Sequence, residues 1–558
     1  MSRTDRLAAA SLAVVTLAIS WSLAWAAGVV DVPRTDDWGF AREAFDLHRT
    51  GSLHLINWGP MTKIGHLLWA QPFLWVFGDH QWALAISESV LVAAGIVAAF
   101  WLCRQRLGVG QSVLVVSALL LFPGVVRDAV SYMTDPAALA LQLVTLALGA
   151  AALRSDGLRR RMLFGAALAA GFWGFSIREL AIAAPIAVVV TVWLDSPRGE
   201  RSAVGIDGGV WVIACATLWW WHHGLAGVDP YAGRPEVGTA LTMLVGGTLT
   251  VAVALAPAVA WSLPRWWHTR HASGRVIGAG IGIGVVVARP LLAHQLGVRN
   301  WWLVGDYLQS DGMNGGKLLL GAHTQVLPAA MWNSVVLIGC VSTVVIGALL
   351  GEWVALRCTA RTPHPDPVSR LASTHAGVAA GLLVVTSMWN STLFDRYLWP
   401  LVFSGSLVLL WRDRSVEPVS SRLQVATQYV GAVVASVGLL VALLLTLHSN
   451  AFDGARWRLA ERVVAEGTPA TMVDGGTEWA GSHSTMPNRV PSLTVNDPLV
   501  AWWTSMTSMP QVCMVITNSP VASAIGSEVA TQQWHTWLLF GRSTLHVYAL
   551  GAPACTAA

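Results

Sequence analysis

The sequence predicts an all-α polytopic membrane protein of about thirteen transmembrane helices, with a small extracytoplasmic α/β domain at its C-terminal end. Three observations predict it. Of 558 residues, 54% are hydrophobic and 12% charged, with a mean hydropathy of +0.55. Soluble domains carry about 25% charged residues, so this much apolar surface needs lipid to cover it. The apolar residues form long runs, and every second gap between runs is rich in arginine. Beyond residue 447 the composition turns polar.

A spanning helix needs about 20 mostly apolar residues. Thirteen runs qualify, at about 7–30, 80–102, 111–126, 134–153, 162–177, 179–194, 208–222, 238–262, 276–296, 329–350, 374–391, 397–411 and 427–447. The first is long and lacks a small-residue cleavage context, so it reads as a retained helix. Arg3 and Arg6 precede it, and Arg104, Arg154, Arg198, Arg265, Arg357 and Arg412 each open a basic gap further on. Cationic short loops stay on the cytoplasmic side of the plasma membrane, which puts the N-terminus inside and the C-terminal segment outside. The stretch 162–194 tests the count, because both its flanks are basic. Two short crossings, with Arg178 and Glu179 at the outer turn, keep both flanks inside; a single crossing does not. The outer loops are then about 31–79, 123–133, the turn at 178, 223–237, 297–328 and 392–396. In the first, an amphipathic piece (40–49) and a half-apolar one (61–78) are expected to lie on the membrane surface. Most of the 30 Trp sit near the ends of runs and read as interfacial anchors. A net charge of +4, with no basic stripe interleaved with aromatics, gives no sign of a nucleic-acid partner. No GxGxxG follows a strand and no P-loop is present.

Nearly all the unusual charge falls on the outer side. Asp36 and Asp37 follow directly on the first run. Adjacent carboxylates repel and resist desolvation, so they imply a cation, an arginine or a substrate hydroxyl between them. They suit a general base, with a divalent cation left open (Asp36, Asp37 and Asp135 its ligands), or equally a cap for a helix over 38–49. Asp135 opens the fourth run with Pro136 behind it, where Thr134 or Asp135 suits a helix cap. Asp128 is a second acidic candidate, with Arg127 as a bland partner. Arg178 and Glu179, between two short runs, mark either a watery cavity or a buried pair. Lys63 offers a compact cation for a phosphate or a snorkelling stem. Arg396, before the twelfth run, offers a planar fork for phosphate or a partner for Asp395. The loop 297–328, with Asp306, Asp311, Lys317 and His323 among several glycines, has the size of a lid.

In order and spacing these motifs resemble the glycosyltransferase C superfamily, in particular its protein O-mannosyltransferase and aminoarabinose-transferase branch. The likeness spans about residues 1–447. It rests on the acidic pair Asp36-Asp37 after the first span, the surface stretch with Lys63, and Ser131-Tyr132-Met133-Thr134-Asp135-Pro136. It rests also on the basic residue between two short spans and on Arg396-Tyr397-Leu398-Trp399-Pro400. The resemblance implies a glycosyltransferase C-type fold, a polyprenyl-phosphate sugar donor bound from the outer leaflet, and an inverting transfer to a glycan, lipid or protein acceptor. By position it implies Asp36 or Asp37 as base, Asp135 as the second acid, and Lys63, Arg178 and Arg396 as donor-phosphate ligands. The sequence departs from the branch in having no Pro after Lys63 and in pairing Asp with Asp rather than Glu, which leaves the choice of base open.

Residues 448–558 carry β-like runs at 470–473, 490–495, 512–517 and 543–550, enough for a small α/β domain. Cys513 and Cys555 are either a disulfide or two free thiols there. Cys103, Cys215, Cys340 and Cys358 read as buried small residues. Two other function classes compete. A lipid or sugar transporter would place ionisable groups near the bilayer midplane and often show repeats, neither of which is evident. A membrane scaffold would leave the outer acids dispensable and far apart.

Overall fold

A computed structural model describes residues 2–56, 58–59, 61–225, 237–267, 272–295, 303, 319–321, 326–359, 366–389, 393–410, 421–484, 512–520, 526–537 and 541–550. The chain opens with α1 (Arg3–Ala27), followed by α2 (Asp37–Thr50) and α3 (Ile64–Phe77), which form from the two surface pieces of the first loop, and then α4 (Gln81–Arg104). The third apolar run splits into α5 (Val109–Leu120) and α6 (Pro123–Asp128). Pro123 explains the break, because its ring cannot continue a helix but suits the start of one. Next come α7 (Thr134–Ala152), α8 (Gly157–Ile177), α9 (Ala183–Asp195), α10 (Arg201–His223) and α11 (Val237–Trp267). Then follow α12 (Ala272–Gln295), α13 (Ala329–Thr359), α14 (Pro367–Trp389), α15 (Trp399–Leu410) and α16 (Ser421–Ala465).

All thirteen predicted runs are therefore helical. Nine of the described helices are long and apolar enough to cross a membrane. The other four are α5, α9 and α15, at 12 or 13 residues, and α8, which begins among three arginines. α16 does not stop where its apolar run stops; it continues from 447 to Ala465.

Among the described residues, several of the basic gaps meet one another. Arg104 at the end of α4 meets Asp5 at the start of α1 (2.7 Å), Arg160 meets Asp195 (3.5 Å), and Arg106 meets Asp366 just before α14. The opposite ends of the same helices lead to the start of α2, the turn between α8 and α9 and the start of α15.

Helix α7 is the most buried of the nine long spans. Its run of Ala and Leu lets α4, α8 and α9 approach closely, and small residues at such contacts replace the hydrophobic drive that lipid removes. A close backbone contact lies between α12 and α13. There Gly278 faces the backbone of Gly347 and Gly351 with no room for a Cβ on either side. A separate apolar cluster, with Phe40, Ala44, Leu67 and Leu74 against Tyr132 and Met133, packs α2 and α3 onto the strap before α7.

The C-terminal segment forms β1 (Val473–Asp474), α17 (Thr477–His483), β2 (Met514–Thr517), β3 (Ser527–Thr536) and β4 (Gly541–Ala549), with strand order β1-β2-β4-β3. β1 and β2 are parallel and the other pairs antiparallel. Val473, Ile516, Leu545 and Val547 join Phe452 and Leu459 of α16 in one cluster, so the sheet sits on the extension of α16. The expected runs at 512–517 and 543–550 coincide with β2 and β4. Ala470–Met472 is instead a 3-10 turn leading into β1, and 490–495 lies outside the described residues. Cys513 is disulfide-bonded, while Cys555 lies outside the described residues. Of the loop 297–328, Asp306, Asp311, Lys317 and His323 also lie outside them.

Candidate functional site: four charged residues from four segments

Asp36 stands at the N-cap position of α2, yet its side chain makes no capping hydrogen bond. It accepts instead from Nη2 of Arg396 at 3.1 Å. Arg396 also lies against Asp135, its Nε 3.5 Å from Oδ2. The same Oδ2 accepts from Nη1 of Arg178 at 3.0 Å, and Arg178 donates to the Thr134 hydroxyl at 2.7 Å. Capping does not occupy Asp135 either: the cap position of α7 is Met133, and Pro136 falls at the third helical position. The result is a continuous line, Asp36–Arg396–Asp135–Arg178, assembled from four segments up to 360 residues apart.

Aromatic faces hold the two guanidinium planes. Arg178 lies 4.8 Å from the Tyr397 ring centre and Arg396 lies 4.6 Å from that of Phe394. Cation–π contact of this kind fixes orientation while leaving the charge uncancelled. Arg178, Arg396 and Asp135 are 7% exposed or less, whereas the Asp36 side chain is 31% exposed. Asp36 is thus the member of the line that opens to solvent.

The neighbouring Asp37 behaves differently. It is fully buried, and Oδ1 accepts from the backbone N–H of Arg34, which closes a turn over residues 34–37. Burial pushes its carboxyl up to about 7, against the opposing pull of the Arg34 guanidinium. Protonation of this group is therefore linked to folding. In the unfolded chain it titrates near 3.8, so its charge costs stability progressively as pH rises from about 4 to about 7. Asp37→Asn removes that cost. Its melting temperature relative to the unsubstituted protein is expected to rise between pH 5 and pH 8, read by thermal unfolding at the two pH values. A flat difference would show that the carboxyl does not titrate there.

Lys63 does not join the line. It is 1% exposed, donates to Oε1 of Glu43 at 2.7 Å and to the Trp58 carbonyl at 3.1 Å, and adopts a left-handed backbone at the start of α3. Its own N–H donates to the Ile177 carbonyl at 3.1 Å, so it braces the first loop against the residue before Arg178. Asp128 is buried on α6, where its charge bears on Arg34 and Glu88. Arg127 reaches Asp453 of α16 at 2.7 Å.

Sequence reasoning did not single out Arg34, Glu43, Asp453, Arg456 or Glu478. Arg456 donates to Glu478 at 2.6 Å and to Asp453 at 3.3 Å, and all three are buried. The spacing of Asp453 and Arg456, one helical turn apart, is the only sequence signal for any of them.

A cleft of about 480 Å³ opens between α2 and the C-terminal domain, and none of the four residues of the line is among those that line it. Trp38, Trp457 and Phe45 supply ring walls, and Asp31, Asp46 and His483 supply polar groups. Among the described residues no group of three or more His, Cys, Asp or Glu side chains is arranged to hold a metal ion. Asp36 and Asp135 turn to arginines, and Asp37 turns to the backbone.

No family model and no curated protein matches the chain. Among solved structures, the chain is similar to ArnT from Cupriavidus metallidurans. The crystal structure of that protein bound to undecaprenyl phosphate aligns with 97% of this chain and 98% of its own, at 14% identity and a TM-score of 0.46. The apo structure aligns with 96% of this chain and 97% of its own, at 14% identity and a TM-score of 0.41.

Proposed function

We propose that this protein is a membrane glycosyltransferase that moves a sugar from a polyprenyl-phosphate donor to an acceptor on the extracytoplasmic side, with inversion. The observation that carries the reading is the line Asp36–Arg396–Asp135–Arg178. Its four members are among those that the motif resemblance assigns to base, second acid and phosphate ligands, with Asp37 and Lys63 standing outside the line, and they meet in direct contact.

The chemistry follows from the charges. A lipid-phosphate sugar already carries a good leaving group, so little acid catalysis is needed. The acceptor oxygen forms a bond to the first carbon of the sugar, the bond from that carbon to the phosphate oxygen breaks, and the lipid phosphate leaves with the electron pair. Arg396 and Arg178 stabilise the charge that grows on the leaving phosphate. Asp36, the exposed carboxylate of the line, takes the acceptor's proton. Asp135 keeps both guanidiniums aimed at one place. Lys63, its charge met by Glu43, holds the first loop rather than the phosphate.

The test is direct. Purified protein in lipid nanodiscs, given polyprenyl-phosphate mannose and polyprenyl-phosphate arabinose, is expected to release free polyprenyl phosphate from one of them with an acceptor-dependent rate. Movement of the intact donor across a vesicle membrane without its cleavage would favour a flippase instead.

A further inference from the structure

We propose that Glu478, on the C-terminal domain, is a positioning residue that holds the turn 34–37 and so sets the carboxylate of Asp36 against Arg396. The inference rests on the glycosyltransferase reading for the role of Asp36, but the contact itself does not.

The turn is short and held from several directions. Thr35 has φ +57, a left-handed backbone that a β-branched residue adopts only under constraint. Its N–H donates to Oε1 of Glu478 at 3.0 Å, and its hydroxyl donates to the Arg34 carbonyl at 2.6 Å. The Arg34 guanidinium donates to Asn450 of α16 at 3.2 Å and to the Val130 carbonyl. Within the turn, the Asp37 N–H donates back to the Arg34 carbonyl at 3.3 Å. Two of these ties, Asn450 and Glu478, come from more than 400 residues away.

Glu478 is itself fixed. Its second oxygen accepts from Arg456, which also meets Asp453, which in turn meets Arg127 on α6. The alternating chain Glu478–Arg456–Asp453–Arg127 is fully buried. Buried ions are costly unless each is paired, and such sets specify a geometry more than they add stability. The rest of α17 docks on α2 beside it. Gly481 lies against the Trp38 ring with no room for a Cβ, and Arg42 donates to the carbonyls of Gly481 and Ser484 at 3.2 and 2.8 Å. Asp36 therefore takes its place from a domain that contributes nothing to the charged line itself.

The experiment compares Glu478→Ala with Glu478→Gln in the full-length protein carrying Thr35→Cys, which keeps the backbone N–H that Glu478 binds. The first readout is the rate at which the introduced thiol reacts with a membrane-impermeant maleimide, above the rate of the protein that keeps Thr35. Release of the turn in the Ala variant is expected to raise that rate about 10-fold, while Gln, which still offers an oxygen to the backbone N–H at that position, keeps it within about 2-fold. The second readout is release of lipid phosphate from the same two donors without the Thr35 substitution. There kcat is expected to fall about 100-fold in the Ala variant with the donor KM unchanged, and Gln to recover most of it, because a carboxylate misplaced by about 1 Å costs that much. Parental labelling and parental kcat in the Ala variant, or a loss that falls on KM, overturns the proposal. If the parent protein cleaves neither donor, the enzymatic reading fails, and the labelling rates alone decide whether Glu478 holds the turn.

Discussion

Asp36→Asn is expected to lower the rate of sugar transfer about 10²- to 10⁴-fold, the range that a positioned general base supplies. The amide is nearly isosteric and keeps an oxygen toward Arg396, so the line Arg396–Asp135–Arg178 stays assembled. Arg396 still lies against Asp135 when the Asp36 charge is removed, so its guanidinium is not left without a counter-ion, and folding and insertion are expected to be unaffected. Single-turnover release of polyprenyl phosphate measures the loss. Asp37→Asn provides the contrast. Asp37 is buried and committed to the Arg34 N–H, so its amide variant is expected to keep a larger share of the rate. If Asp36→Asn transferred at the parental rate while Asp37→Asn did not, the base would be Asp37, reached by an opening of the turn.

Much of this arrangement can be read from the chain itself. Thirteen apolar runs become helices because backbone groups in lipid must bond within their own segment. The alternation of arginine-rich gaps sorts their ends, and the pairs Arg104–Asp5 and Arg160–Asp195 show two of those gaps folding together. The meeting of Asp36, Asp135, Arg178 and Arg396 follows from motif order, because each opens or closes a span at the same end.

Other features leave no such trace. Asp453 and Arg456 follow an apolar run and read as a solvated tail, but α16 continues and buries them against Arg127 and Glu478. A buried ion and a solvated one are the same letter in a sequence, and only the partner distinguishes them. Lys63 is legible as a cation, but its partner Glu43 sits within an amphipathic helix, where a carboxylate passes for a solvent-facing group. Strand β3, with Thr531, Gln532 and Gln533 at its centre, lacks the β-branched run that marks a strand; pairing with β4 along its length makes it one.

Arg396→Ala is expected to raise the donor KM, and the dissociation constant of free polyprenyl phosphate, about 100-fold. Loss of a charge-assisted contact to an anion at a buried site costs about 2 to 5 kcal/mol, which brackets that factor. Arg396→Lys is expected to restore little. One guanidinium now reaches Asp36 through Nη2 and Asp135 through Nε, two directions at once, and lies over the Phe394 ring. An ammonium is a point charge on a flexible stem and cannot hold both carboxylates while facing a ring. The Ala variant remains foldable because Asp135 keeps Arg178 at 3.0 Å, so the deeper carboxylate is not left alone. The pattern of loss then separates two roles. A fall in donor affinity with a smaller change in kcat marks a phosphate ligand, whereas a fall in kcat alone marks a residue that sets Asp36. Equal affinity for polyprenyl phosphate with and without Arg396 would move the phosphate toward Arg178, and the line would then bind its donor from the Asp135 end.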